Sequence, residues 1–251
     1  MARITLVVHP TCASSYRVVK HLDERGLLGR VELVVADKPS AAFRYRAWSV
    51  PWVLVDGEPA ASDPVSPEEL ERIIVEGKAG APGSVEEAFM EAVLHSAYAS
   101  SLALLWGSLE PVLDRDLASA ALRSPLTGVK PEEALQRVGA EAERLYGEWS
   151  DKMARALGIS FVREAWWALR GKLTAEALRD MATPAAVGAW LLAKASIGRI
   201  GLPSRPLLRE GPAEAIARFV RAAARGLLNK IEREQREILE DGRYWSILDT
   251  A

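Results

Sequence analysis

A single cysteine, Cys12, and three histidines, His9, His21 and His95, are the only sulfur thiol and imidazoles in 251 residues. One cysteine closes no intramolecular disulfide, so the chain is not a disulfide-stapled secreted scaffold. Nor does so small a set, scattered along the chain, form a recognisable metal cluster. An excess of charge of either sign is also missing: 32 basic and 34 acidic residues leave a formal net charge of −2. That balance gives no reason to expect bulk nucleic-acid binding. The chain has no Gly-rich phosphate loop and no Ser-His-Asp pattern. Long apolar runs are scarce. Residues 92–109 form an 18-residue stretch without formal charge, but His95, Ser96, Ser100, Ser101, Gly107 and Ser108 interrupt it. Without flanking Lys or Arg, it reads as a buried core helix rather than a membrane span. No signal-peptide pattern precedes the first strand, so a cytoplasmic location is expected. Asparagine occurs once, at Asn229, while ionic residues are plentiful; this composition hints at a thermophile, and high genomic GC content produces a similar bias.

What the chain does have is one chemically suggestive stretch. Ile4 to Val8 is apolar and β-branched, the pattern of a buried strand, and Ser14 to Glu24 is helix-forming. Cys12 lies between them. A helix N-terminus carries partial positive charge and unpaired N–H groups. A thiolate placed there is stabilised, so a lowered Cys12 pKa is expected. Ser15 follows at the spacing Cys-x-x-Ser, where its hydroxyl can donate to a Cys12 thiolate. A Cys-Ser pair supports only the first, mixed disulfide of an exchange, which an outside thiol must resolve. The alternative is that Cys12 is a small buried hydrophobe. His9 is close enough in sequence to raise the thiolate fraction if protonated, or is a neutral residue at a strand end.

The next segments continue a mixed pattern. Val31 to Ala36 is a second strand, and Asp37 to Ser49 leaves room for a short helix around Ala41 to Ala47. A third strand opens on Val50-Pro51 and ends in Asp56-Gly57, a strong hairpin signal, with a partner strand at Pro59 to Ser62. Ser66-Pro67-Glu68-Glu69 opens the next helix, with Ser as N-cap and Pro in the first turn.

With strand–turn–Cys12-x-x-Ser15–helix, the Ser49-Val50-Pro51 step, the Asp56-Gly57 hairpin and the Ser66 helix start, residues 1–78 resemble the thioredoxin/glutaredoxin superfamily, in particular the small archaeal glutaredoxin-like thioredoxins. The resemblance implies an archaeal source, a cis Val50–Pro51 bond lying against Cys12, and a Val50 backbone that pairs with an extended substrate or thiol ligand. Thr11, Val50 and Pro51 are therefore the expected substrate-contacting positions, and Cys12 and Ser15 the catalytic ones. Three departures stand out: Ser15 replaces a second cysteine, Thr11 replaces the usual Trp, and no clear set of glutathione-recognising residues is present.

Lys78 to Ser84 is a linker by composition, and residues 84–251 show no alternating β pattern. One long helix is expected from Ser84 to Leu109, a shorter one from Leu113 to Leu122, and one from Lys130 running to Leu157, with Gly158 as its stop. Phe161–Leu169, Thr174–Met181, Pro184–Gly198 and Pro212–Leu239 follow, with a loop at Pro203 and Pro206. The aromatic tail Tyr244–Leu248 is suited to packing back on the body. Six tryptophans fall in this region, as core or as the lining of an inter-domain pocket. Arg218, Arg221 and Arg225 share a helix face, and with Glu232, Glu234 and Glu237 they read as a solvated mixed surface.

The expected architecture is an α/β thioredoxin-like domain (1–78) followed by an all-α domain (84–251), the layout of glutathione transferases. The leading functional expectation is a monothiol protein acting in thiol-disulfide exchange through Cys12, with the helical domain selecting the partner. The alternatives are a glutathione-transferase-like thiol-binding enzyme and a non-catalytic binding module. Expected partners are protein or small-molecule thiols and disulfides, without nucleic acid or membrane, and with homodimerisation open. No metal is expected, and no cofactor beyond a low-molecular-weight thiol.

Overall fold

The computed structural model describes residues 2–36, 44–198 and 210–251. Four strands, β1 (Ile4–Val8), β2 (Glu32–Val35), β3 (Trp52–Val55) and β4 (Glu58–Ser62), form one sheet in the order β2-β1-β3-β4. β1 and β2 are parallel, joined through α1 (Ala13–Glu24), because parallel neighbours need a crossover. β3 runs antiparallel to both β1 and β4. The β3–β4 turn is the expected hairpin: Asp56 and Gly57 both have positive φ, 51° and 85°, as a tight two-residue hairpin requires.

β1 is buried at every position because both faces of the sheet are covered. On one face Leu6, Val8 and Val53 meet Val18, Val19 and Leu22 of α1 and Leu70, Ile73 and Ile74 of α2 (Pro67–Glu76). On the other, Val7, Trp52 and Leu54 join the main helical core. The α2 boundaries follow from local chemistry. The Ser66 hydroxyl accepts from the Glu69 amide at 3.0 Å, and Gly77 closes the helix at φ 65°.

The helical region comprises α3 (Val85–His95), α4 (Ala97–Trp106), α5 (Arg115–Leu122), α6 (Ser124–Thr127), α7 (Pro131–Ala140), α8 (Ala142–Ala168), α9 (Ala175–Met181), α10 (Pro184–Gly198), α11 (Glu210–Glu240) and α12 (Gly242–Asp249). Three expectations change here. The single helix over 84–109 is two, bent by 99° at Ser96. Ser96 caps α4 by accepting from the Ala99 amide at 3.1 Å, and its hydroxyl donates to the Trp48 carbonyl, tying the bend to the sheet region. Conversely, Gly158 stops nothing. It lies inside the 27-residue α8, where the missing side chain admits the ring of Phe219. The helix expected from Lys130 to Leu157 divides at Glu141, where α7 gives way to α8. Of the short helix expected around residues 41–47, residues 41–43 lie outside the described residues, and 44–47 are a single helical residue leading into a turn; the Pro203/Pro206 loop falls on 199–209, also outside the described residues.

No single helix among the described residues is long and apolar enough to cross a membrane. The apolar side chains of α3 and α4, including Phe89, Met90, Leu102 and Leu105, are spent on the core. The tail does pack back on the body: Ile238, Tyr244 and Leu248 complete the cluster on the α1–α2 face of the sheet.

Candidate thiol site

The site begins where β1 ends. His9, Pro10 and Thr11 form a tight turn, in which the Cys12 amide donates to the His9 carbonyl at 3.0 Å. The Thr11 amide donates to His9 Nδ1 at 3.3 Å, and the Thr11 hydroxyl lies 3.1 Å from the same nitrogen. His9 Nδ1 thus presents its lone pair to the turn, which ties the ring to loop geometry. The fully buried Ser15 closes the arrangement by accepting from the His9 amide at 3.2 Å.

Cys12 is the N-cap of α1. Its backbone is extended (φ −84°, ψ 121°), and its carbonyl accepts from the Tyr16 amide at 2.9 Å. The side chain caps nothing. Instead Sγ donates to the Val50 carbonyl at 3.3 Å. The Val50–Pro51 bond is cis. The Val50 carbonyl thus faces the sulfur with Pro51 next in the chain, Thr11 and Ser15 lie on the α1 side, and the five expected positions occupy one locality. Beside them, the Ser49 hydroxyl and the Trp52 indole N–H are buried without a hydrogen-bond partner among the described residues.

The electrostatics differ from the expectation of a lowered pKa. Cys12 keeps some solvent contact, yet protein atoms crowd its sulfur, and desolvation pushes the thiol above its ordinary value. The Asp63 carboxylate adds to the rise. Hydrogen bonds from the amide and hydroxyl of Ser15, and the charge of Arg163, pull the other way without winning. The helix N-terminus is present as expected, but burial outweighs it.

Two groups of residues at the site carry no local sequence signal. The first is the C-terminal clasp. The Tyr244 hydroxyl donates to the Pro10 carbonyl at 3.1 Å, two residues before Cys12. The Tyr244 ring meets Tyr16 edge-on, with centroids 5.0 Å apart. The Tyr16 hydroxyl donates to Asp241 at 2.9 Å and accepts from Lys20 at 3.0 Å. Burial, and then the neighbouring Cys12, push the Tyr244 phenol far above its ordinary value. The second group is Asp63 with His95, 32 residues apart in sequence and 3.3 Å apart at Oδ2 and Nδ1. The Asp63 amide donates to the Pro51 carbonyl at 3.1 Å, which fixes Asp63 directly behind the cis turn.

Near the loop, a groove of about 460 Å³ runs between the edge strand β2 and the tail, lined by Pro10, Val34, Val35, Trp245 and Leu248. Among the described residues no group of three His, Cys, Asp or Glu side chains could hold a metal ion. No family model, curated protein or solved structure matches the chain.

Proposed function

We propose that the protein is a monothiol thioredoxin-like protein that performs thiol-disulfide exchange through Cys12. The carrying observation is the placement of Cys12 Sγ at the head of α1 and 3.3 Å from the carbonyl that precedes a cis proline. The sheet order β2-β1-β3-β4, with β1 and β2 parallel and β3 reversed, supports the same reading. In the exchange, the Cys12 thiolate attacks one sulfur of a disulfide RS–SR′. The Cys12–SR bond forms as S–S breaks, and R′S⁻ leaves and takes a proton. An external thiolate then attacks the SR sulfur of the mixed disulfide. It carries RS away as a new disulfide and returns Cys12 as thiolate. Ser15 stabilises that thiolate, the Val50 backbone aligns the substrate chain, and the helical region with its C-terminal clasp shapes access.

The raised thiol pKa makes the resting sulfur a hydrogen-bond donor. That favours a second reading, a transferase-like site in which Cys12 orients a thiol cosubstrate without bonding to it. One experiment separates the two: exchange with a small aromatic disulfide, and conjugation of a small thiol, in wild type, Cys12→Ser and Cys12→Ala. Covalent exchange is expected to vanish in both variants, and its rate in wild type to climb with pH beyond the range of a free cysteine near 8.5. Conjugation retained in Cys12→Ser but lost in Cys12→Ala establishes the transferase reading. Wild-type protein that does neither, with Cys12 open to alkylation, is a binding module.

A further inference from the structure

We propose that the Asp63–His95 pair governs the protonation of Cys12: Asp63 holds the sulfur in its thiol form, and His95 relaxes that hold when it is itself protonated. This rests on the reading of Cys12 as the working group of the site, and deepens it by assigning two positioning residues.

The geometry is a short relay through the cis turn. Cys12 Sγ contacts the Val50 carbonyl, the next carbonyl, that of Pro51, accepts from the Asp63 amide, and the Asp63 carboxylate meets His95. Asp63 is 9% exposed and follows β4 directly, with its amide held on the Pro51 carbonyl, so its position is set by backbone rather than by a flexible stem. A carboxylate so placed disfavours a second negative charge nearby, and its interaction with Cys12 has that sign. Among the described residues, the groups that act on Cys12 include Ser15 on α1, Asp63 after β4, Arg163 on α8 and Tyr244 on α12, and the His9 ring lies in the same turn. Arg163 is engaged by Glu234 at 3.1 Å, which limits how far it can offset Asp63.

His95 supplies the adjustable part. Its Nδ1 lies 3.3 Å from Asp63 and its Nε2 3.5 Å from Glu91, while Arg17 of α1 opposes its charge. The two carboxylates, Asp63 the larger influence, prevail over partial burial and Arg17, so His95 holds its proton above the ordinary histidine range. While His95 is charged, the pair is close to neutral as seen from Cys12. Once His95 deprotonates, Asp63 acts on the sulfur without that compensating charge. A rise in pH therefore generates thiolate less steeply than it would at an isolated cysteine, because the same rise strips the compensating charge.

The test measures alkylation of Cys12 by iodoacetamide, a neutral probe, against pH. The proteins are wild type, Asp63→Asn, His95→Gln and the double variant, each checked by its urea midpoint. Asp63→Asn is expected to move the thiol titration down and accelerate neutral-pH alkylation by about threefold to tenfold, since one pKa unit is tenfold in thiolate. His95→Gln is expected to slow alkylation at acid to neutral pH and to match wild type at alkaline pH. The double variant should follow Asp63→Asn, because without the Asp63 carboxylate His95 loses the contact that keeps it protonated. A wild-type titration in a folded Asp63→Asn, or a His95→Gln effect that survives in the double variant, overturns the proposal. Should Asp63→Asn fail to fold, His95→Gln alone decides: loss of alkylation confined to the range where histidine is charged supports the pair, and an unaltered profile refutes it. Disulfide exchange is scored separately, so failure of the exchange reading leaves the alkylation result standing.

Discussion

Tyr244 joins the two ends of the chain, and its energetics can be worked out. Two substitutions divide its contribution. Tyr244→Phe removes only the hydroxyl that donates to the Pro10 carbonyl at 3.1 Å. A neutral hydrogen bond contributes about 1 kcal/mol net, and Pro10 is partly exposed, so water replaces part of the loss. The expected destabilisation is therefore about 1 kcal/mol or less. Tyr244→Ala also removes a ring that is 2% exposed and packed edge-on against Tyr16. Truncating a buried aromatic costs about 3–5 kcal/mol. Against a typical total of about 5–15 kcal/mol, that is a large fraction. The assay is urea unfolding, followed by tryptophan fluorescence and far-ultraviolet circular dichroism, with the slope compared across variants. If the tail completes the sheet's core, Tyr244→Ala lowers the midpoint of a single transition seen by both probes. A Tyr244→Ala midpoint within 1 kcal/mol of wild type, or a Tyr244→Phe loss equal to that of Tyr244→Ala, refutes the reasoning.

The remaining predictions are independent of the tail. Gly158→Ala gains about 1 kcal/mol in helix propensity, but its Cβ would lie 2.7 Å from Phe219 Cδ1 and 3.3 Å from Val220 Cγ2. Forcing α8 from α11 costs about 1–3 kcal/mol, so a net lowering of the thermal midpoint is expected, and a stabilised variant contradicts the contact. The His95 interaction sets a pH slope. A folded-state pKa raised above the unfolded value of about 6.5 gives stability that is fully present below that value and is lost as pH rises through the folded one. Urea midpoints of wild type should thus fall relative to those of His95→Gln as pH increases through that window, and parallel curves would show that the Asp63 contact adds nothing to folding.

The half of the site that could be read from sequence is the local half. The Cys12 turn, the Asp56-Gly57 hairpin and the Ser66 cap each lie within a few residues, where backbone geometry and side-chain chemistry leave a direct trace. The bend at Ser96 left a weaker one. A serine inside an apolar run is compatible with a continuous helix, and what breaks it is the distant Trp48 carbonyl, which accepts from its hydroxyl. Gly158 misled for a related reason. Glycine is a good helix stop when the following backbone is left-handed, but here it serves a close approach between helices. Tyr244 and His95 reach the Cys12 loop and Asp63 across 234 and 32 residues, and no spacing rule encodes such contacts.

That division has a chemical consequence. The local elements, helix N-terminus and Ser15, favour a thiolate at Cys12, as the sequence alone implies. The long-range elements, burial, Asp63 and the phenol of Tyr244, favour a thiol or share its confined space. The resting state is set by the long-range group, which is assembled only when the chain is fully folded with its tail in place. The local group is nonetheless present at full strength, held by backbone hydrogen bonds within the turn and α1. A partner that relieves the burial of the sulfur, or brings positive charge to Asp63, therefore has no site to build: it has only to remove the opposition to one already formed.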